Sequence, residues 1–173
     1  EAQLEAQLGV LPSYTGLGMA ALLPHKTLSF DKNGKVEADG KSTAGLVSRG
    51  KILASVGGVA VKFDELMRMT KDEGRDFVRQ HRVVYIYHDH IDATVDTAAI
   101  ENHTFDAVRK TIKELGDVVG RVINSLNGHH VLVTADHGFL FQRRAPDLTD
   151  KSKISSKPAS ALIAKKRYVL GRN

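Results

Sequence analysis

The run Val131-Leu132-Val133-Thr134-Ala135-Asp136-His137-Gly138-Phe139 sets an acid–imidazole pair directly after three aliphatic residues. It predicts a buried strand that delivers two metal-capable side chains to its C-terminal edge, the place where α/β sheets carry their chemistry. A carboxylate oxygen and an imidazole nitrogen together suit a borderline divalent cation such as zinc or manganese. Gly138 would let the backbone turn away from such an ion. The same three residues, Asp136-His137-Gly138, also fit a hydrogen-bonded turn at a strand end.

Working upstream, Thr97 to Leu126 predicts a long helix. Phe105, Val108, Ile112, Leu115, Val119, Val122 and Leu126 recur every three or four residues, and Asn127-Gly128 ends the run. Before it, Val83-Val84-Tyr85-Ile86-Tyr87-His88 predicts another buried strand, running into Asp89-His90-Ile91-Asp92. Strand, helix and strand at this spacing predict a right-handed parallel βαβ unit. Its topology would bring His88 to Asp92 and Asp136-His137 to one sheet edge. A helix is predicted over about Asp64 to Gln80, and another opening at Arg49 to Ala54. Leu28-Ser29-Phe30 and Val36-Glu37-Ala38 flank Asp31-Lys32-Asn33-Gly34-Lys35, a β-hairpin signal near residues 28–40.

Near the start, Pro12-Ser13 reads as a turn, Thr15 as a helix cap, and Leu17 to Leu23 as a short apolar helix closed by Pro24. Glu1 to Leu8 reads as the last turns of a helix stopped by Gly9. Arg143 to Arg167 is basic and reads as a surface loop before a strand at Tyr168-Val169-Leu170. Such ends suggest a piece cut from a longer protein. The 173 residues are 42% hydrophobic and 26% charged, a composition that can build a core. No apolar run nears the roughly 20 residues that span a bilayer, and no signal peptide opens the chain. With no cysteine, thiolate ligands and disulfides are excluded, and a cytoplasmic setting is expected. A net charge of +5 tolerates a phosphorylated or polyanionic partner without requiring one.

Three elements carry candidate chemistry. Thr15 stands at a helix start, where free N–H groups favour an anion. His88 and Asp92 lie four apart after one strand, and Asp136-His137 after the other. A threonine hydroxyl becomes a competent nucleophile when a divalent cation lowers its pKa, and two cations would support in-line phosphoryl transfer. The residues therefore read as a metal-dependent phosphohydrolase. Plainer readings fit the same positions: Thr15 as an N-cap, His88 to Asp92 as a hydrogen-bonded turn, and the basic segment near 143–167 as a solvated loop. A nucleic-acid path along that segment is a further reading.

Leu11-Pro12-Ser13-Tyr14-Thr15-Gly16-Leu17-Gly18-Met19-Ala20-Ala21-Leu22-Leu23-Pro24, Val84-Tyr85-Ile86-Tyr87-His88 with Ile91-Asp92, and Thr134-Ala135-Asp136-His137-Gly138-Phe139 resemble, in this order, the core of the PglZ family. That family belongs to the alkaline phosphatase superfamily and to bacterial BREX phage-defence systems. The resemblance spans nearly all of residues 1–173. It implies an α/β fold with a central, mostly parallel sheet flanked by helices, here a truncated core. It implies Thr15 as a metal-bound nucleophile, and Asp136 and His137 as ligands of the same metal. A second metal, usually held by Asp-x-x-x-His, would fall to His88 and Asp92 in reversed order, with Asp89, His90 and Asp96 as substitutes. Two zinc ions, or manganese, are implied as cofactors. The superfamily's Asp upstream of the nucleophile and its His near the domain's end have no counterpart here. The expected piece alone therefore binds metal weakly and hydrolyses phosphate esters slowly or not at all. Implied partners are a phosphorylated substrate and other BREX proteins, including a methyltransferase and an ATPase. The competing function is a non-catalytic assembly or nucleic-acid-binding module of the same system, with no membrane.

Overall fold

The computed structural model describes residues 2–91, 104–138, 147, 149, 156, 158–165 and 168–171. They belong to two compact units, residues 1–44 with 135–173, and residues 45–134. Each unit has its own fold logic.

In the first unit, helix α1 (Thr15–Ala21) packs Leu17 and Ala20 against Val36 of a small antiparallel sheet. That sheet has the order β1 (Leu28–Phe30), β2 (Val36–Ala38), β3 (Lys41–Ser42). Its hairpin turn is held by Asp31, whose carboxylate accepts from the Asn33 and Lys35 amides, both at 2.8 Å. Gly34 takes the left-handed φ of 75° that closes the turn. A two-stranded antiparallel pair, β6 (Ala161–Ala164) with β7 (Val169–Gly171), completes the unit. β6 lies inside the segment read as a surface loop. Its signal was Ala161-Leu162-Ile163-Ala164, an apolar run hidden by the surrounding lysines. Most of the remaining basic segment lies outside the described residues.

In the second unit, α2 (Gly45–Ala54) leads to β4 (Gly58–Lys62), which pairs in parallel with β5 (Val83–Tyr87). Helices α3 (Phe63–Arg68) and α4 (Lys71–Arg79) connect those strands, and α5 (Thr104–Ser125) follows. The core joins Val61, Phe63 and Leu66 to Val118, Val122 and Leu126. No described helix is long and apolar enough to cross a membrane.

Several expectations need correction. The single helix over Asp64 to Gln80 is two, because Thr70 caps the second. Its hydroxyl accepts from the Glu73 amide at 3.3 Å, while the Glu73 carboxylate accepts from the Thr70 amide at 2.7 Å. Those hydrogen bonds hold the Glu73 carboxyl below its usual range. Thr70-Lys71-Asp72-Glu73 is the sequence form of this reciprocal cap. Thr70→Ala should cost about 1 kcal/mol of local stability. Amides of α4 should then exchange with solvent about fivefold faster, read by hydrogen-exchange mass spectrometry. Unchanged exchange would show that the cap does not hold the helix.

The helix expected over Glu1 to Leu8 is absent from the described residues there. Leu4 and Leu8 are fully exposed, and a segment this short does not stay helical without a packed face. Only part of the stripe expected on α5 turns inward: Val122 is buried, as is Leu126 just past the helix, and Thr111 and Val118 are buried as well, whereas Phe105 and Ile112 are exposed. The part expected from Thr97 to His103 lies outside the described residues.

The opening run is the largest correction. Val131 to Thr134 forms no strand, and Leu132 is 88% exposed. Aliphatic residues become a strand only where a neighbour supplies a ladder and a covered face. Among the described strands β5 pairs with β4 alone, so Val131 to Val133 have no ladder to join. The βαβ unit expected between β5 and that run is thus not formed. Among the described residues the fold is mixed α/β with three small sheets, and the central, mostly parallel sheet is not among the described strands.

Candidate active site

α1 begins one residue earlier than a capping threonine would require. Tyr14 has the extended backbone of an N-cap and makes no side-chain cap, so Thr15 is the first helical residue. This overturns the reading of Thr15 as a cap and leaves its hydroxyl for another partner. Thr15 Oγ1 lies 3.1 Å from His137 Nε2. The other ring nitrogen, Nδ1, lies 2.9 Å from the Gly138 carbonyl. A carbonyl only accepts, so Nδ1 carries the proton, and in the neutral ring Nε2 presents a lone pair toward Thr15. Asp136 Oδ2 completes the group, 3.5 Å from the same Nε2.

Three donor-capable atoms therefore converge, one from the first turn of α1 and two from the Asp136-His137 segment. Gly18, one turn along α1, allows the approach: a Cβ there would stand 2.2 Å from the Asp136 carbonyl oxygen. Asp136 Oδ2 is buried and, among the described residues, has no hydrogen-bond partner. Leaving a carboxylate oxygen in that condition costs about 1–3 kcal/mol, a penalty that a bound cation removes. The donor set of one carboxylate, one imidazole and one hydroxyl fits a borderline divalent ion. Gly138 has no left-handed φ, so the turn away from the site does not depend on its being glycine.

The stack of Tyr14 on Tyr168, with ring centroids 4.7 Å apart, ties the α1 entrance to β7. Burial, followed by the neighbouring Tyr168, raises the Tyr14 pKa and keeps that phenol neutral.

The second unit gathers its own polar cluster at the C-terminal end of the β4–β5 pair. His88 follows β5 directly, and its Nε2 lies 2.8 Å from Glu114 Oε2 on α5. His90 Nδ1 reaches the same oxygen, also at 2.8 Å. The His88, His90 and Glu114 donor atoms all fall within 4.8 Å of one another, so these residues can hold a metal ion. Phe63, the first residue after β4, sets its ring edge-on to His88 at 4.8 Å and to His90 at 5.7 Å. Burial pushes the Glu114 pKa up, but hydrogen bonds from His90 and His88 outweigh it and leave the carboxyl below its usual range.

The structure puts His88, read from the sequence as a metal ligand with Asp92, beside His90 and Glu114. Asp92 and Asp96 lie outside the described residues, and Asp89 is exposed. Glu114 escaped sequence reasoning because it sits 26 residues downstream on a helix read only for its aliphatic stripe. Its signal was an acid spaced between Thr111 and Val118, on the face that turns inward.

The family model described as the BREX system PglZ alkaline phosphatase-like domain matches residues 1–173. The alkaline phosphatase-like protein BrxZ of Escherichia coli is 50% identical over 172 residues, covering 98% of this chain and 20% of that protein. The alkaline phosphatase-like protein PglZ of Bacillus cereus is 36% identical over 167 residues, covering 95% of this chain and 19% of that protein. The chain thus spans about a fifth of the length of these curated relatives. No solved structure matches it significantly.

Proposed function

The chain belongs to the PglZ family of BREX-system alkaline phosphatase-like domains, and on that premise we propose that it is the nucleophile-bearing part of a metal-dependent phosphohydrolase acting in phage defence. The observation that carries this reading is the 3.1 Å approach of Thr15 Oγ1 to His137 Nε2, beside the buried Asp136 Oδ2, which has no hydrogen-bond partner among the described residues. A structural threonine at the start of a helix has no use for such company.

Asp136 and His137 would hold a divalent cation, zinc or manganese, which when bound lowers the pKa of the Thr15 hydroxyl and draws charge from a phosphoryl oxygen. The Gly138 carbonyl fixes the His137 tautomer, so Nε2 faces the site with its lone pair. Thr15 is exposed, and a phosphate ester can therefore reach it. Oγ1 would attack phosphorus as the ester oxygen leaves, and water would then release phosphate and restore the hydroxyl. The second cation of the resemblance would draw on His88, with Asp92 as its proposed companion. In the longer protein, β4 and β5 would belong to the central parallel sheet. The BREX system in the family's description makes other BREX proteins the proposed partners, and the phosphatase likeness makes a phosphorylated molecule the proposed substrate.

The test is cleavage of nitrophenyl phosphate mono- and diesters by the full-length protein. Chelation should lower the rate by at least about tenfold, and added zinc or manganese should restore it. Asp136→Asn should do the same without rescue by metal. Cleavage that survives both treatments would remove the Asp136–His137 centre from the reaction.

A further inference from the structure

We infer that His88, His90 and Glu114 form a binding site for one divalent transition-metal cation, with Glu114 of α5 as its carboxylate ligand. This goes beyond the phosphohydrolase reading, which draws on His88, keeps His90 only as a substitute ligand of its second metal, and assigns nothing to Glu114. It also stands if Thr15 proves not to be a nucleophile.

Both imidazoles point a ring nitrogen at one carboxylate oxygen, each at 2.8 Å. Two imidazoles and one carboxylate are the ligands that suit zinc, iron, cobalt or manganese, and two neutral nitrogens disfavour magnesium and calcium. Ligands about 2.1 Å from a tetrahedral ion stand about 3.4 Å apart. Each nitrogen–oxygen pair therefore needs to open by only about half an ångström for the ion to replace the shared hydrogen.

A carboxylate oxygen only accepts, so each ring carries its proton on the nitrogen that faces Glu114. Each neutral ring can carry its proton on either nitrogen, so the nitrogen facing Glu114 can become a ligand without loss of a proton to solvent.

The surroundings are built for a site. The His88 side chain is 9% exposed and that of Glu114 is 17%, while Phe63 covers both rings. Such a half-dry shell strengthens ion binding and holds the ligands in place. Asp64 Oδ1 lies 3.8 Å from His90 Nε2, on the outer side of that ring. The Lys110 ammonium, 3.7 Å from Glu114 Oε1, engages the other carboxylate oxygen. That leaves Oε2 as the oxygen shared by both histidines.

A hydrogen-bonded clasp between the end of β5 and α5 would look similar, and metal titration separates the two. In the full-length His137→Ala variant, which disables the Thr15 centre, added Co2+ should give visible ligand-field absorption. One equivalent of that absorption should vanish when Glu114→Gln is introduced, and Zn2+ should displace it while millimolar Mg2+ should not. His90→Gln, at a partly exposed side chain that the fold tolerates more readily, should weaken Co2+ binding at least about tenfold. Parental Co2+ stoichiometry and affinity in either variant would overturn the proposal, as would the absence of ligand-field bands before Glu114 is changed. Loss of cleavage activity alone leaves these readings unmoved, so failure of the phosphohydrolase reading is distinguishable from failure of this one.

Discussion

Thr15→Ala should reduce phosphate-ester cleavage by the full-length protein at least about a thousandfold, with the loss in kcat. Removing the group that attacks phosphorus removes the covalent route altogether, and comparable deletions of nucleophiles cost several orders of magnitude. Stability should change little. Tyr14, not Thr15, occupies the cap position, so the substitution spares the cap that Thr15 was expected to provide. It removes one exposed hydrogen bond to His137, worth about 0.5–1.5 kcal/mol.

Turnover is the diagnostic arm. A capping threonine would leave it intact, whereas a nucleophile loses it, and stability falls by about 1 kcal/mol or less in either case. Thr15→Ser keeps the hydroxyl and should retain measurable cleavage; its residual rate should remain sensitive to chelation. Hydrolysis at near-parental kcat by Thr15→Ala would exclude this hydroxyl from the chemistry. The measurement is steady-state kinetics on a nitrophenyl ester, with hydrogen exchange over α1 as the stability control.

The sequence made some of this legible and hid the rest for physical reasons. Thr15, Asp136 and His137 could be listed together because chemistry restricts which side chains can serve. Their convergence depends on Gly18, whose role is invisible until the Asp136 backbone is seen against α1. The β1–β2 hairpin is local, written in Asp31 and Gly34, and local signals read well. The β5 strand also followed from its aliphatic and aromatic run. Val131 to Val133 carry the same kind of run and form no strand, because pairing is a property of neighbours and not of the segment. Glu114 was missed for the converse reason. One acid on a helix declares nothing until β5 brings His88 against it.

Gly18→Ala should be nearly as damaging to activity as loss of a reacting group, although residue 18 carries no functional atom. In isolation the change favours a helix by about 1 kcal/mol. Here the new methyl would stand 2.2 Å from the Asp136 carbonyl oxygen and 2.8 Å from its carbon. Both are backbone atoms, so no side-chain rotation relieves the clash, and the Asp136 segment must retreat by about an ångström. Overpacking of this kind costs about 1–3 kcal/mol, which outweighs the gain in helix propensity.

The functional consequence is larger than the energetic one. His137 moves with Asp136, and the 3.1 Å approach of its Nε2 to Thr15 Oγ1 cannot survive such a shift unchanged. Displacement of reacting groups by an ångström lowers rates by about a hundredfold. Gly116→Ala in α5 is the control, since a Cβ there meets nothing within 4 Å among the described residues; it should gain the propensity term and leave turnover alone. Cleavage assays on both variants, with hydrogen exchange over residues 15–21 and 104–125, read out each arm. A Gly18→Ala protein with parental kcat would mean that the Asp136 backbone does not rest on α1, and the Thr15–His137 geometry would fall with it.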